Sequence, residues 1–347
     1  MRALRWHGAG DVRVDEVPEP EGPAPGMAIV EVASCGICGS DLAEFRAGPK
    51  MIRPTPHPLT GRQPPLTLGH EFSGRVVAAD DADAWPSGTR VTADACWRCG
   101  HCEACASGDY HMCRYGGSIG LHSDGAFAPF VVVPEYTLVR VPDGVSDQAA
   151  AMTEPLAVGL HALDRGHLRA ADGVVVLGFG PIGAAAALLA RAMGATPFVI
   201  ELDDARRRRA EALGLATLDV GDDLPRRVRR AVGGGGAPVV IESTGVPAVL
   251  PQAIECARRG GRIVAVGLTG EPSAIDSSRL TFFERSLIGS LGYRHDLPRV
   301  VRMVADGLVD PEDLISETVP LADAPATFAS LASAPGGRVK VMVDPHG

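Results

Sequence analysis

The chain has 347 residues, long for one hydrophobic core, so two domains are expected. Hydrophobic content of 46% with 22% charged residues is that of an ordinary soluble globular protein, and a net charge of −9 argues against nonspecific nucleic-acid binding. No apolar run approaches the roughly 20 residues that cross a membrane. Met1–His7 opens no signal segment, so a cytoplasmic protein with reduced thiols is expected.

Residues 1 to about 33 alternate apolar and polar positions between glycines and prolines, as in Asp11–Val14 and Ala28–Val32, and read as short antiparallel strands. Cys35 to Phe45 reads as a turn entering a short helix, and the proline-rich Gly48–Pro65 as a loop. Strands are expected again at Gly74–Ala78, Arg90–Thr92 and within Phe127–Arg140. The pattern changes near Met152. Apolar β-branched runs at Val174–Leu177, Phe198–Ile200, Val239–Ile241 and Arg262–Val266 alternate with helices at Pro181–Met193, Asp203–Leu213 and Ala248–Ala257. Buried strands alternating with helices imply a parallel sheet covered on both faces. Near the end come helices at Pro298–Asp306 and Ala322–Leu331 and a strand at Val339–Val343. Lys50 and Lys340 are the only lysines, so arginine carries nearly all the positive charge, and the run Arg206–Arg209 reads as mostly solvated helix surface.

Gly178-Phe179-Gly180-Pro181-Ile182-Gly183 follows one of these strands and opens a helix. The first glycine makes the turn, the second lets backbone approach a pyrophosphate, and the third lets helix and strand pack closely. The helix N-terminus then faces the phosphate charge. Glu201 ends the next strand, where a carboxylate accepts hydrogen bonds from ribose hydroxyls and repels a 2′-phosphate, so NAD is expected over NADP. Arg206 can lie over the adenine.

Five of the eight cysteines fall between Cys96 and Cys113, in a stretch without periodicity. Cys99, Cys102, Cys105 and Cys113 are spaced C-x2-C-x2-C-x7-C, which suits a closed tetrahedral structural zinc site, with an iron–sulfur cluster as the rival. Cys96, Cys35 and Cys256 are expected to be packed or free thiols. A second constellation joins Cys38 and Ser40, in Cys35-Gly36-Ile37-Cys38-Gly39-Ser40-Asp41, to Gly69-His70-Glu71. A thiol, an imidazole and an acidic group can close on one zinc, and Ser40 can handle the proton of a bound alcohol.

Together with Leu68–Gly74, Glu154-Pro155-Leu156-Ala157-Val158-Gly159 and the order of these motifs, the chain resembles the zinc-containing medium-chain dehydrogenases along essentially its whole length. It is most similar to their 2,3-butanediol dehydrogenase group, with sorbitol and threonine dehydrogenases nearby, through His57–Gly61 ahead of Pro65–Glu71 and the later Ser286–Ser290. The resemblance implies an α/β architecture with two domains. One is a GroES-like β-rich catalytic domain built from 1–152 and 298–347. The other is a Rossmann doubly wound parallel-sheet domain at 153–297. It implies two zinc ions and NAD per chain, with Cys38 and His70 as catalytic zinc ligands and Glu71 or Glu154 as the third. It extends the cofactor contacts to Val266, Leu268 and Ser290. Glu154 stands where the ethanol-type branch has a cysteine, which points to diols, polyols or cyclitol-like alcohols. Many relatives carry a histidine at Ala43 as the proton outlet, so here Ser40 must use the cofactor ribose, water or Glu44. Lys340 can reach the pyrophosphate or lie at the surface. The expected activity is NAD-dependent oxidation of a secondary alcohol in a homodimer or homotetramer. The rivals are reduction of a C=N or C=C bond and a non-catalytic nucleotide-binding protein.

Overall fold

The computed structural model describes residues 1–334 and 336–347. They form two compact units. The first holds Met1–Glu154, Leu297–Gly336 and Lys340–Gly347; the second holds Pro155–Asp296 with Gly337–Val339.

The first unit is built around the strand Met27–Gly36. Val30, Val32 and Cys35 are buried on it, with Glu31 and Ala33 facing out between them. It pairs antiparallel with Glu71–Ala79, Phe130–Pro134 and Lys340–Asp344. The register sets Gly36 opposite Glu71 on one side and opposite Met342 on the other. Three chain segments far apart in sequence therefore meet at the end of one strand. The core beneath includes Leu4, Phe72, Phe127 and Phe328, and each large apolar side chain fully buried there is worth about 1.5–3 kcal/mol. The strand expected within Phe127–Arg140 is interrupted. Pro134 ends Phe130–Pro134, and a single turn at Glu135–Thr137 precedes Leu138–Arg140.

The second unit carries a sheet of six strands. They are β1 (Gly173–Leu177), β2 (Thr196–Ile200), β3 (Ala216–Thr217), β4 (Ala237–Glu242), β5 (Ala257–Ala265) and β6 (Ser286–Gly289). All pairings are parallel, in the order β3-β2-β1-β4-β5-β6. That is the doubly wound order with its reversal beside β1, where such sheets bind ligands beyond their carboxyl ends.

Two further helices lie in this part of the chain. Thr153–Arg165 contains Pro155 and Gly159, two helix breakers. Proline is tolerated in a first turn. Gly159 lets the helix approach its neighbour closely, since a Cβ there would lie 2.9 Å from the Ala186 nitrogen. Leu224–Val232 is dense in arginine, and it buries only Leu224 and Val228, one turn apart.

Candidate metal centres and cofactor site

The helix Gly39–Ala47 begins immediately after Cys38, whose backbone N–H donates to Asp41 Oδ2 at 3.0 Å. Asp41 is fully buried, and its Oδ1 lies 3.6 Å from His70 Nδ1. It thus fixes the backbone of one candidate ligand and sets a carboxylate beside the ring of the other. His70 follows Gly69, which has φ of +99° and no room for a Cβ, because Cys35 Sγ and the Phe127 nitrogen would each lie 2.9 Å away. Ligand atoms of Cys38, His70 and Glu71 come within 4.8 Å of one another. Ser40 Oγ lies 3.4 Å from His70 Nε2. Burial opposes charge on His70, but the Asp41 carboxylate and the Cys38 sulfur outweigh it and lift the imidazole well above its ordinary pKa.

Glu71 supplies the test of whether a metal fits. Its Oε2 accepts from Lys340 Nζ at 2.5 Å, while its Oε1 is buried with no hydrogen-bond partner. A buried carboxylate oxygen left open beside a thiol and an imidazole suits a divalent cation, and one sulfur, one nitrogen and one oxygen donor suit zinc with an open position. Lys340 is itself fully buried and also donates to the Ile37 carbonyl at 3.0 Å. Burial works against its ammonium, yet Glu71 and Cys38 hold its pKa above the ordinary lysine value. Both expectations for Lys340, a reach to the pyrophosphate and a surface position, are therefore corrected: it is buried against Glu71. A Cβ at Gly36 would overlap the Glu71 carboxylate, which explains the glycine. Glu154 is buried at the start of Thr153–Arg165. It acts electrostatically on both His70 and Lys340, but it is not among the three converging groups.

Glu44, considered as a proton outlet, is engaged elsewhere. It is fully buried and accepts from the backbone N–H groups of Lys50, Met51 and Ile52, so it anchors the loop after its helix. Cys35 is fully buried, and burial together with Asp41 and Glu71 pushes its thiol pKa well up. Cys256, buried in the second unit, is raised to about 12 by the same desolvation.

In the cysteine lobe the four sulfurs converge. Sγ separations are 3.5 Å for Cys99–Cys113, 3.8 Å for Cys102–Cys113 and 4.0 Å for Cys99–Cys105. Tetrahedral ligation with Zn–S near 2.3 Å requires sulfurs about 3.8 Å apart. Backbone N–H groups of Cys99 and Cys102 point at Cys113 Sγ and Cys99 Sγ, both at 3.4 Å. Such donors favour thiolate, and backbone donation led by Cys105 lowers Cys102 to about 6. Cys96 stays outside, its thiol pKa pushed well up by burial and then by Asp94.

In the second unit Gly178 takes φ of +93°, and the helix Pro181–Ala192 starts with Gly180 as its N-cap. A Cβ on Gly183 would overlap the Gly178 carbonyl and lie 2.6 Å from Ser243 Oγ, so only glycine allows this approach. Glu201 accepts from the backbone N–H groups of Phe179 at 2.7 Å and Asp203 at 2.8 Å, which fixes its carboxylate beside the glycine turn. Arg206 donates to the Arg338 carbonyl at 2.8 Å, and its Nη1 lies 4.0 Å from where a Gly180 Cβ would stand. Val266 follows β5 and bonds the Glu242 carbonyl through its N–H, while Leu268 is largely exposed. Ser290 follows β6, and its Oγ is buried without a partner. The sequence pattern did not single out Ser243, whose Oγ bonds the Leu177 carbonyl at 2.8 Å, or Glu242, which holds the turn Thr244–Gly245. The only available signal was their position at the carboxyl end of β4, on the rim where such sheets bind ligands.

Residues 24–143 match the alcohol dehydrogenase GroES-like domain, and residues 181–306 match the zinc-binding dehydrogenase family. The chain is 35% identical, over the full length of both, to (R,R)-butanediol dehydrogenase of Bacillus subtilis. It belongs to the zinc-containing medium-chain dehydrogenases. Another member, sorbitol dehydrogenase of Halalkalibacterium halodurans, is 32% identical over 99% of each chain. The crystal structure of 2R,3R-butanediol dehydrogenase from Bacillus subtilis superposes with a TM-score of 0.92 at 35% identity, covering 99% of each chain. A zinc-binding dehydrogenase of Sinorhizobium meliloti bound to NADP does so with 0.89 at 35% identity and the same coverage. The chain is thus a zinc-type dehydrogenase with a GroES-like unit and a doubly wound nucleotide unit, in which zinc and a nicotinamide dinucleotide are the groups that the sites above must accommodate.

Proposed function

We propose that this dehydrogenase oxidises secondary alcohols, namely vicinal diols, polyols or cyclitol-like alcohols, with NAD as acceptor. The observation that carries the reading is the convergence of Cys38, His70 and Glu71 with the open Oε1 of Glu71 and Ser40 Oγ alongside. In it, Cys38, His70 and Glu71 or Glu154 hold the catalytic zinc, and Cys99, Cys102, Cys105 and Cys113 a structural one. The relatives named as butanediol and sorbitol dehydrogenases support the substrate class.

A zinc ion at this site supplies Lewis acidity toward a hydroxyl oxygen. Ser40 Oγ accepts the hydroxyl proton. The Asp41 carboxylate stands beside Nδ1 of His70, whose Nε2 lies near Ser40 Oγ, and Lys340 holds Glu71 through one oxygen and leaves the other free. With Glu44 bound to backbone and Ala43 aliphatic, Ser40 passes the proton to water or to the cofactor ribose. Gly178, Gly180, Pro181, Ile182, Gly183, Glu201, Arg206, Val266, Leu268 and Ser290 would hold NAD, which would supply the hydride acceptor. Preference for NAD over NADP rests on the fixed carboxylate of Glu201, although the Sinorhizobium relative holds NADP. The edge strand β6 supports pairing into a homodimer or homotetramer. Among the described residues no helix is long and apolar enough to cross a membrane, which fits the proposed cytoplasmic location.

The test is NADH formation across a panel of vicinal diols, polyols and aminocyclitols, with metal analysis of the same preparation. The expected result is turnover of one of these and two zinc ions per chain. Silence across the panel with turnover of an imine or enone would replace this reading by the reductive one.

A further inference from the structure

The glycine turn after β1, Glu201 after β2 and Ser290 after β6 all lie at the carboxyl ends of the strands. The opposite rim, where Ala237 opens β4, Ala257 opens β5 and Ser286 opens β6, carries a second concentration of chemistry. A cavity of about 630 Å³ opens there, lined by five arginines, Arg229, Arg258, Arg259, Arg279 and Arg285, against one carboxylate, Glu255. Five like charges around one concavity repel each other, in a chain whose overall charge is −9.

Arg285 is the anchor. Its side chain is only 5% exposed. Nε and Nη2 donate to the Arg258 and Ala257 carbonyls, which leaves Nη1 buried with no hydrogen bond and 3.7 Å from Glu255. Arg279 takes the other Glu255 oxygen at 3.2 Å and lies 3.9 Å from the exposed Asp276, so Glu255 is divided between two guanidiniums. Arg259 and Arg285 each hold their guanidinium carbon 4.6 Å from the centroid of the Phe283 ring, which draws the two cations to one aromatic side chain. Gly234 and Gly235, with φ of +60° and +91° and open space where a Cβ would stand, keep the rim unobstructed. A plainly solvated arginine surface would not bury a guanidinium with a donor unused.

We infer that this cavity is a binding site for a small phosphorylated polyanion, separate from the cofactor site and independent of the substrate assignment. Guanidinium forks pair bidentately with phosphate oxygens. An anion here would supply the acceptors that Glu255 lacks and offset the repulsion among the arginines.

The test uses inorganic phosphate as the probe on the full-length, zinc-loaded protein with saturating NADH present. Ionic strength is held constant with chloride, and binding is followed by phosphorus NMR. Saturable binding at one site per chain is expected. The double substitution Arg259→Gln with Arg279→Gln alters exposed side chains and leaves the buried anchor in place. It should weaken binding at least about tenfold with kcat and KM for the alcohol unchanged. No saturable binding beyond that of chloride would overturn the inference, as would binding unchanged in the double variant. So would binding seen only without NADH, which would place the phosphate in the cofactor site.

Discussion

Lys340 and Glu71 are 269 positions apart and form a fully buried ion pair. Replacing Lys340 with Met removes one charge and leaves the other without its partner, a change that costs about 3–5 kcal/mol in buried pairs. Lys340→Met should therefore lower the melting temperature and the bound zinc together, and Lys340→Arg should restore part of both. A calorimetric scan with metal analysis checks this; an unchanged zinc content in the Met variant would show that Glu71 needs no anchor. A second residue gives a pH signature. His122 packs edge-on against His57 with ring centroids 4.8 Å apart, and burial, then His57 and Arg53, depress its pKa to about 4. The unfolded chain, with histidine near 6.5, then binds more protons than the folded one between those values. Stability is complete above about pH 6.5 and falls as the pH drops toward 4, by about 1–3 kcal/mol for this partly buried ring. Urea titrations at pH 7 and 4.5 should show that loss in the wild type, and a smaller one in His122→Gln. At this scale Cys38, Ser40 and His70 were legible because their residue types and short spacings carry chemistry by themselves. Lys340 was not, since only the register of Lys340–Asp344 against Met27–Gly36 brings it to Glu71.

Elements explain which glycines and cysteines are irreplaceable. The helix Pro181–Ala192 rests on the turn after β1 through Gly183, where a Cβ would overlap the Gly178 carbonyl. Gly183→Ala should displace the helix N-terminus and weaken NADH binding at least about tenfold, since the phosphate depends on that placement. Fluorescence titration of NADH is the measurement, and an unaltered affinity would mean that the turn yields freely. The cysteine lobe has only short elements among the described residues, a four-residue helix, a single helical turn at Tyr110–Met112 and a two-residue strand pair. Cys113→Ser should release one zinc ion per chain and expose the lobe to protease while the Cys38 zinc remains, as read by metal analysis and limited digestion. The parallel strands β1, β2, β4 and β5 were legible from their β-branched runs, whereas the two-residue β3 at Ala216–Thr217 carries no such run. The helices Thr153–Arg165 and Leu224–Val232 were obscured, one by a proline and a glycine serving packing, the other by arginines that hide a two-residue apolar face.

For the molecule as a whole, the chain divides so that the short strip Gly337–Val339 goes with the second unit while Lys340–Gly347 returns to the first. No periodicity marks so short an excursion; the Arg338 carbonyl is held by Arg206, far away in sequence. The return of the chain end to the β-rich unit was visible only through the family resemblance, because strand patterns do not specify distant partners. The division has a thermodynamic consequence. Both candidate zinc sites belong to the first unit, and the glycine turn with Glu201 belongs to the second. Metal binding stabilises only the fold that holds the metal, and a ligand at 100 times its Kd adds about 2.7 kcal/mol to the fold that binds it. Calorimetry should therefore resolve two transitions. One should fall sharply when a chelator removes zinc, and the other should rise when NADH is added to the metal-stripped protein. A single transition that responds equally to zinc and to NADH would show instead that the two units unfold as one cooperative body.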